Sequence, residues 1–231
     1  MTGLVTYGLR AIGLKAAIVL GMLSGAPAMA QQTDILALGD SLTQGYGLIE
    51  QEGFVPQLRA WLAERGHDVR IVNAGVSGDT TAGGLSRVEW SLTPEIDAMI
   101  VALGGNDLLR GIDPSVARAN LDGILQVAAE RDLDVLLIGL TAPGNYGAAY
   151  KESFDAIYPD LAEDYDTVYL EDFFAGLRGP DGGMPDPGRY MQADGIHPDA
   201  EGVARIVETV GPKVETLIEE VRAADAAADQ E

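Results

Sequence analysis

The sequence predicts an α/β fold, a three-layer α/β/α sandwich around a mostly parallel sheet of five strands. Two observations predict it. Short apolar runs alternate with amphipathic helical stretches, the pattern left by successive βαβ units. The first three of those runs also end in polar, glycine-rich turns, and ligands bind such sheets outside the carboxyl ends of the strands.

Taken in order, the first strand is Asp34 to Leu38, followed by an amphipathic helix from Phe54 to Arg65 that Gly66 stops. A second strand, Val69 to Asn73, precedes the helical stretch Thr80 to Leu92. The third strand, Ala98 to Leu103, leads to a long helix from Pro114 to Arg131, which Asp113 is placed to cap. The fourth strand is Asp134 to Leu140. A loop from Thr141 to Tyr146 comes next, then one helix running to about Asp164, a short strand Thr167 to Leu170, and a final helix from Asp199 to Val221.

The two ends of the chain read differently from this body. Arg10 and Lys15, the apolar run Ala16 to Leu23 and then Ala28-Met29-Ala30 make a secretory leader with a small-residue cleavage site. Gly21, Ser24, Gly25 and Pro27 interrupt the run, which is too short for a stable membrane anchor of about twenty apolar residues. Cleavage after Ala30 would leave one domain over residues 31–222 and a disordered acidic tail over 223–231. Its address would be the periplasm or the medium.

The chain carries 15 Lys+Arg against 36 Asp+Glu, and without the leader 13 against 36, a formal charge of −23. That sign excludes nucleic acid as a partner, because phosphate binding needs the opposite one. With no cysteine, disulfides, thiolate metal sites and a cysteine nucleophile are excluded as well. Stability must come from the core of what is expected to be a monomer, and a domain of about 200 residues buries roughly 70% of its unfolded surface.

The turns after the strands hold the candidate chemistry. The first strand runs into Gly39-Asp40-Ser41-Leu42-Thr43, the second into Gly75-Val76-Ser77-Gly78-Asp79-Thr80, and the third into Gly104-Gly105-Asn106-Asp107, so three loops converge on one crevice. Ser41 can stand at its mouth, although serine in such a turn equally serves backbone hydrogen bonding. A serine needs a base to become a nucleophile, and there are two histidines. His67, in a helix-to-strand turn at the opposite end of the sheet, is expected to be solvated and without a role. His197 lies three residues after Asp194, close enough for the carboxylate to accept the Nδ1 proton and fix the tautomer. The backbone N–H groups of Ser41 and Gly78 and the side-chain amide of Asn106 could hold an oxyanion, with ordinary turn chemistry the alternative for the last two. Asp40, Asp79 and Asp107 have simpler work in turn hydrogen bonds, and neither a metal nor a cofactor is implied.

The blocks GDSLT (39–43), GVSGDTT (75–81), GGND (104–107) and DGIHP (194–198) resemble, in order and spacing, the four motif blocks of the SGNH (GDSL-type) hydrolases. Pro143 to Gly147, Tyr150 and Phe154 to Pro159 further resemble the bacterial branch that includes thioesterase I, lysophospholipase L1 and arylesterase. The resemblance implies a flavodoxin-like sheet and an acyl-enzyme mechanism. Ser41 is then the nucleophile, Asp194 and His197 complete the triad, and Ser41, Gly78 and Asn106 are the oxyanion donors. Thr43, where many relatives have serine, is a small departure. A small-molecule acyl ester is the implied substrate. Leu42, Tyr46, Leu48, Leu108, Leu109, Ile112 and Tyr146 are placed to line an apolar acyl groove, or else to pack the loops. Removal of O-acetyl groups from carbohydrate would use the same site, and a non-catalytic binding module on the same fold is the remaining alternative.

Overall fold

The computed structural model describes residues 1–3, 32–179, 183 and 188–228, and Gln31–Glu231 forms one compact unit. The expected leader, apart from its first three residues, lies outside the described residues. Among those described, no helix is long and apolar enough to cross a membrane.

Five strands, β1 (Thr33–Gly39), β2 (Val69–Gly75), β3 (Ala98–Ala102), β4 (Asp134–Ile138) and β5 (Val168–Leu170), form one sheet in the order β2-β1-β3-β4-β5. Every pairing is parallel. The central strands β1, β3 and β4 are mainly Ile, Leu, Val, Ala and Met because helices cover both faces, whereas the edge strand β2 exposes Arg70 and Asn73. All five residues of β3 are buried, and so are Ile35 to Leu38 of β1 and Val135 to Ile138 of β4. Each fully buried Leu or Ile contributes about 1.5–3 kcal/mol. One helical layer is built on α2 (Phe54–Glu64) packed against α8 (Ala200–Ala228), and the other on α3 (Thr81–Ser91), α5 (Pro114–Ala129) and α7 (Ile157–Asp164). Asp113 caps α5 by accepting from Ser115 N–H at 2.8 Å. Asp199 does the same at the start of α8, accepting from Gly202 N–H at 2.8 Å.

Four expectations are corrected. Two short helices, α1 (Ser41–Gln44) and α4 (Gly105–Arg110), occupy turns that the sequence presents as irregular, being too short to show a helical period. The single helix before β5 is two, α6 (Ala148–Asp155) and α7, broken at Ala156. The break lies one turn before Pro159, whose ring would clash with the Asp155 carbonyl and which has no N–H to donate to it. The tail over 223–228 is helical, because α8 continues to Ala228 through an alanine-rich stretch of high helix propensity. Residues 229–231 lie outside the described residues. His67 is largely shielded rather than solvated, its Nε2 2.9 Å from Glu215 Oε1 of α8.

The sheet order places the site. Chain progression reverses between β1 and β3, and the crevice above their carboxyl ends is the switch point of an open α/β sheet. β1 delivers Asp40 and Ser41 there, and β3 delivers Gly104 to Asp107.

Candidate active site

Ser41 is the first residue of α1, turned directly off the end of β1. Asp40 makes the turn by accepting from Leu42 N–H at 3.0 Å, an N-cap that leaves the Ser41 N–H without an intrahelical acceptor. The strand can turn this tightly because residue 39 is glycine; a Cβ there would lie 1.9 Å from Thr43 Oγ1.

His197 approaches from the loop before α8, its Nε2 2.8 Å from Ser41 Oγ. Its Nδ1 is 2.7 Å from Asp194 Oδ2. Asp194 Oδ1 also accepts from the backbone N–H groups of Ile196 and His197, at 2.9 and 3.0 Å, folding this loop around its own carboxylate. The histidine contact and those two N–H groups hold the Asp194 carboxyl down at about 2, so it stays charged across the working pH range. The imidazole is held from three sides. Asp194 lies behind it, the Tyr46 ring packs against it at 4.6 Å between centroids, and Gln192 fastens its loop. Gln192 N–H donates to His197 O at 2.8 Å, while its side-chain amide donates to Tyr46 O at 2.8 Å and Pro198 O at 3.0 Å.

Gly78 stands at φ +84° in an exposed turn after β2, and among the described residues its N–H has no acceptor. Asn106, second residue of α4, donates from Nδ2 to Asp79 O at 2.9 Å and points the same group toward Asp40 Oδ2, 3.4 Å away. The three acids near the crevice are all engaged. Asp79 pairs with Arg87 at 2.7 Å, and Asp107 accepts from both the N–H and hydroxyl of Thr81, at 2.8 and 2.7 Å. Asp40 is 2% exposed, and burial raises its carboxyl to about 6 against the opposing pull of Leu42 N–H, His197 and Asn106. Among the described residues no three histidines or acids are grouped as metal ligands.

A cleft of about 280 Å³ opens over Ser41 and His197, walled mainly by apolar side chains. Leu42, Leu108, Leu109 and Tyr146 line it as expected. Ile112 does not, and Tyr46 and Leu48 line only a small separate recess beside Ser41 and His197. Tyr46 is drawn against the imidazole by Gln192, and Leu48 packs beside it toward the core. Ile112 sits behind the wall, where its carbonyl accepts from Tyr150 OH at 2.9 Å. The sequence reading missed Leu140, Pro143, Phe174 and Ile196, which complete the lining from the loops after β4 and β5 and before α8. Leu140 and Phe174 carried no signal beyond loops on the carboxyl side of the sheet, whereas Pro143 and Ile196 lie in segments that carry the family resemblance.

The GDSL-like lipase/acylhydrolase family model matches residues 37–205. Esterase TesA of Pseudomonas aeruginosa is 39% identical over 91% of this chain and 100% of its own length. An arylesterase of Vibrio mimicus is 35% identical over 78% of this chain and 87% of its own. The Escherichia coli K12 protein named thioesterase 1/protease 1/lysophospholipase L1 is 34% identical over 80% of this chain and 84% of its own. Among solved structures, AlinE4, an SGNH-hydrolase family esterase, superposes with a TM-score of 0.67 at 43% identity, covering 82% of this chain and 98% of that one. The crystal structure of TesA gives 0.72 at 38% identity, covering 80% and 99%. A parallel sheet with a serine, a histidine and an acid joined at its switch point, a family model spanning most of the domain, and relatives named for ester cleavage lead to one conclusion: the chain belongs to the GDSL-like lipase/acylhydrolase family, the SGNH hydrolases, and is a carboxylic ester hydrolase.

Proposed function

We propose that this protein is an exported serine esterase of the lysophospholipase/arylesterase type, cleaving lipid-like or aryl acyl esters and, at the same site, thioesters. The observation that carries the reading is the relay of 2.8 Å from Ser41 Oγ to His197 Nε2 and 2.7 Å from His197 Nδ1 to Asp194, opening into an apolar cleft.

His197 Nε2 takes the Ser41 proton as Oγ attacks the acyl carbonyl. Asp194 accepts the Nδ1 proton and offsets the imidazolium charge that forms. The N–H groups of Ser41 and Gly78 and the Asn106 amide hold the oxyanion, each such donor stabilising the transition state by about 3–4 kcal/mol. The tetrahedral adduct collapses, its C–O or C–S bond breaks, and the alcohol or thiol leaves with the proton from Nε2. Water then adds to the acyl-enzyme through the same base, releasing the carboxylic acid and restoring Ser41.

Leu42, Leu108, Leu109, Leu140 and Phe174 favour an acyl group with an apolar chain over acetate. The leader-like segment over residues 1–30 supports export, which separates the enzyme from cytosolic acyl-CoA. One chain supplies every site residue, in keeping with action as a monomer. The test is kcat/KM of the chain from Gln31 on p-nitrophenyl esters from acetate to palmitate, with Ser41→Ala alongside. Activity peaking at medium or long chains and absent from Ser41→Ala is expected. Activity confined to acetate would move the reading to a deacetylase, and turnover surviving in Ser41→Ala would remove the serine mechanism.

A further inference from the structure

Helix α4 grips the loop between β2 and α3 at three points. Asn106 donates to Asp79 O at 2.9 Å, Asp107 accepts from Thr81 N–H at 2.8 Å, and Arg110 Nη2 donates to Gly78 O at 2.8 Å. The first two hold the chain after Gly78. Gly78 itself lies in the turn Val76 to Asp79, closed by Asp79 N–H donating to Val76 O at 3.1 Å. Its φ of +84° is what the third position of a type II turn requires.

The middle peptide of that turn joins Ser77 to Gly78 and carries the Gly78 N–H. The carbonyl that Arg110 holds belongs to the next peptide, Gly78–Asp79, whose N–H closes the turn, so the contact fixes where the turn stands. Little packs against Gly78 itself. A Cβ built on Gly78 would meet only one heavy atom within 4 Å, Arg110 Nη2 at 3.8 Å.

We propose that Arg110 is a positioning residue for the oxyanion site: by donating to the Gly78 carbonyl it anchors the turn that carries the Gly78 N–H and so keeps that donor in place for the Ser41 adduct. The proposal rests on the oxyanion role given to Gly78 above. It makes α4 the shared support of two donors, Asn106 directly and Gly78 through Arg110, and arginine suits the task because it stays charged and presents its donors in a planar fork. Arg110 is exposed, so removing its side chain opens no core cavity.

The test compares wild type, Arg110→Ala, Arg110→Lys and Ser41→Ala on p-nitrophenyl butyrate, together with their rates of inactivation by a p-nitrophenyl alkylphosphonate. The donor survives in Arg110→Ala but loses its hold, so kcat should fall by about 10- to 100-fold, less than or similar to deleting a donor outright. KM should stay within about twofold, since the interaction strengthens only in the transition state. Inactivation should slow in proportion to kcat, methylguanidinium in solution should restore part of both, and Arg110→Lys should retain more activity than Arg110→Ala. A kcat close to wild type, a loss confined to KM, or a loss that neither methylguanidinium nor lysine relieves would overturn the proposal. Hydrolysis persisting in Ser41→Ala would instead defeat the serine mechanism on which it stands.

Discussion

Asp40 should make this protein less stable as it ionises, and replacing it with asparagine should reverse that. The side chain is 2% exposed and its carboxyl is raised from 3.8 to about 6, with burial the leading cause. A raised carboxyl pKa means that the unfolded state releases its proton first. The wild type therefore loses stability as pH rises from about 4 to above 6, by about 3 kcal/mol for a shift of this size. Asp194 has the opposite sign: its carboxyl is held at about 2, so its contribution is present above 3.8 and lost as pH falls toward 2. Asp40→Asn keeps an oxygen for the Leu42 N–H but turns its own amide toward that of Asn106, a new donor-to-donor contact costing about 1 kcal/mol. The net expectation at pH 8 is a variant more stable than wild type by about 2 kcal/mol, an advantage that disappears below about pH 4. Urea unfolding of both proteins at half-unit steps from pH 4 to 8 measures the difference directly. A variant less stable by a constant amount across that range would refute the reasoning, since Asp40 would then be a net stabilising cap in either charge state.

Asn106→Ala should lower kcat by about 10²–10³-fold with KM little changed, as expected for an oxyanion donor; a loss appearing mainly in KM would reassign it to substrate binding. Asp194→Asn should reduce kcat by about 10³–10⁴-fold by leaving the imidazole in the wrong tautomer; near-wild-type turnover would remove it from the triad. Gly211→Ala tests the packing of α8 on α2. A Cβ at 211 would lie 2.7 Å from the Trp61 ring, so the variant should lose about 1–3 kcal/mol in urea unfolding, and undiminished stability would show that this contact relaxes freely.

Much of this was legible in the sequence because the apolar runs carry the sheet. A parallel strand covered on both faces, such as Ala98–Ala102, must be uniformly apolar, and its turns must carry the polar groups. The meeting of Ser41, His197 and Asp194 was readable for a related reason. Asp194 and His197 are three residues apart, and Ser41 follows the strand bordering the switch point, so local spacing and a strand end pointed to them. What escaped depends on contacts that no period records. The six residues of α4 complete too few turns to show one, yet its Asn106, Asp107 and Arg110 grip the segment after β2 that holds Gly78. Tyr46 was assigned to the cleft from its nearness to Ser41, whereas a hydrogen bond from Gln192, far along the chain, draws it against His197. Phe174 reaches the cleft from the loop after β5, and only the fold shows that this loop arrives beside β1.

The central claim is that Ser41 is the nucleophile, and covalent labelling tests it most directly. The chain from Gln31 would be treated with a p-nitrophenyl alkylphosphonate, digested, and the modified residue located by mass spectrometry. One adduct is expected, on Ser41, formed in step with loss of esterase activity, absent from Ser41→Ala and greatly slowed in His197→Ala. Stoichiometric labelling of another residue, or inactivation that leaves Ser41 unmodified, would contradict it.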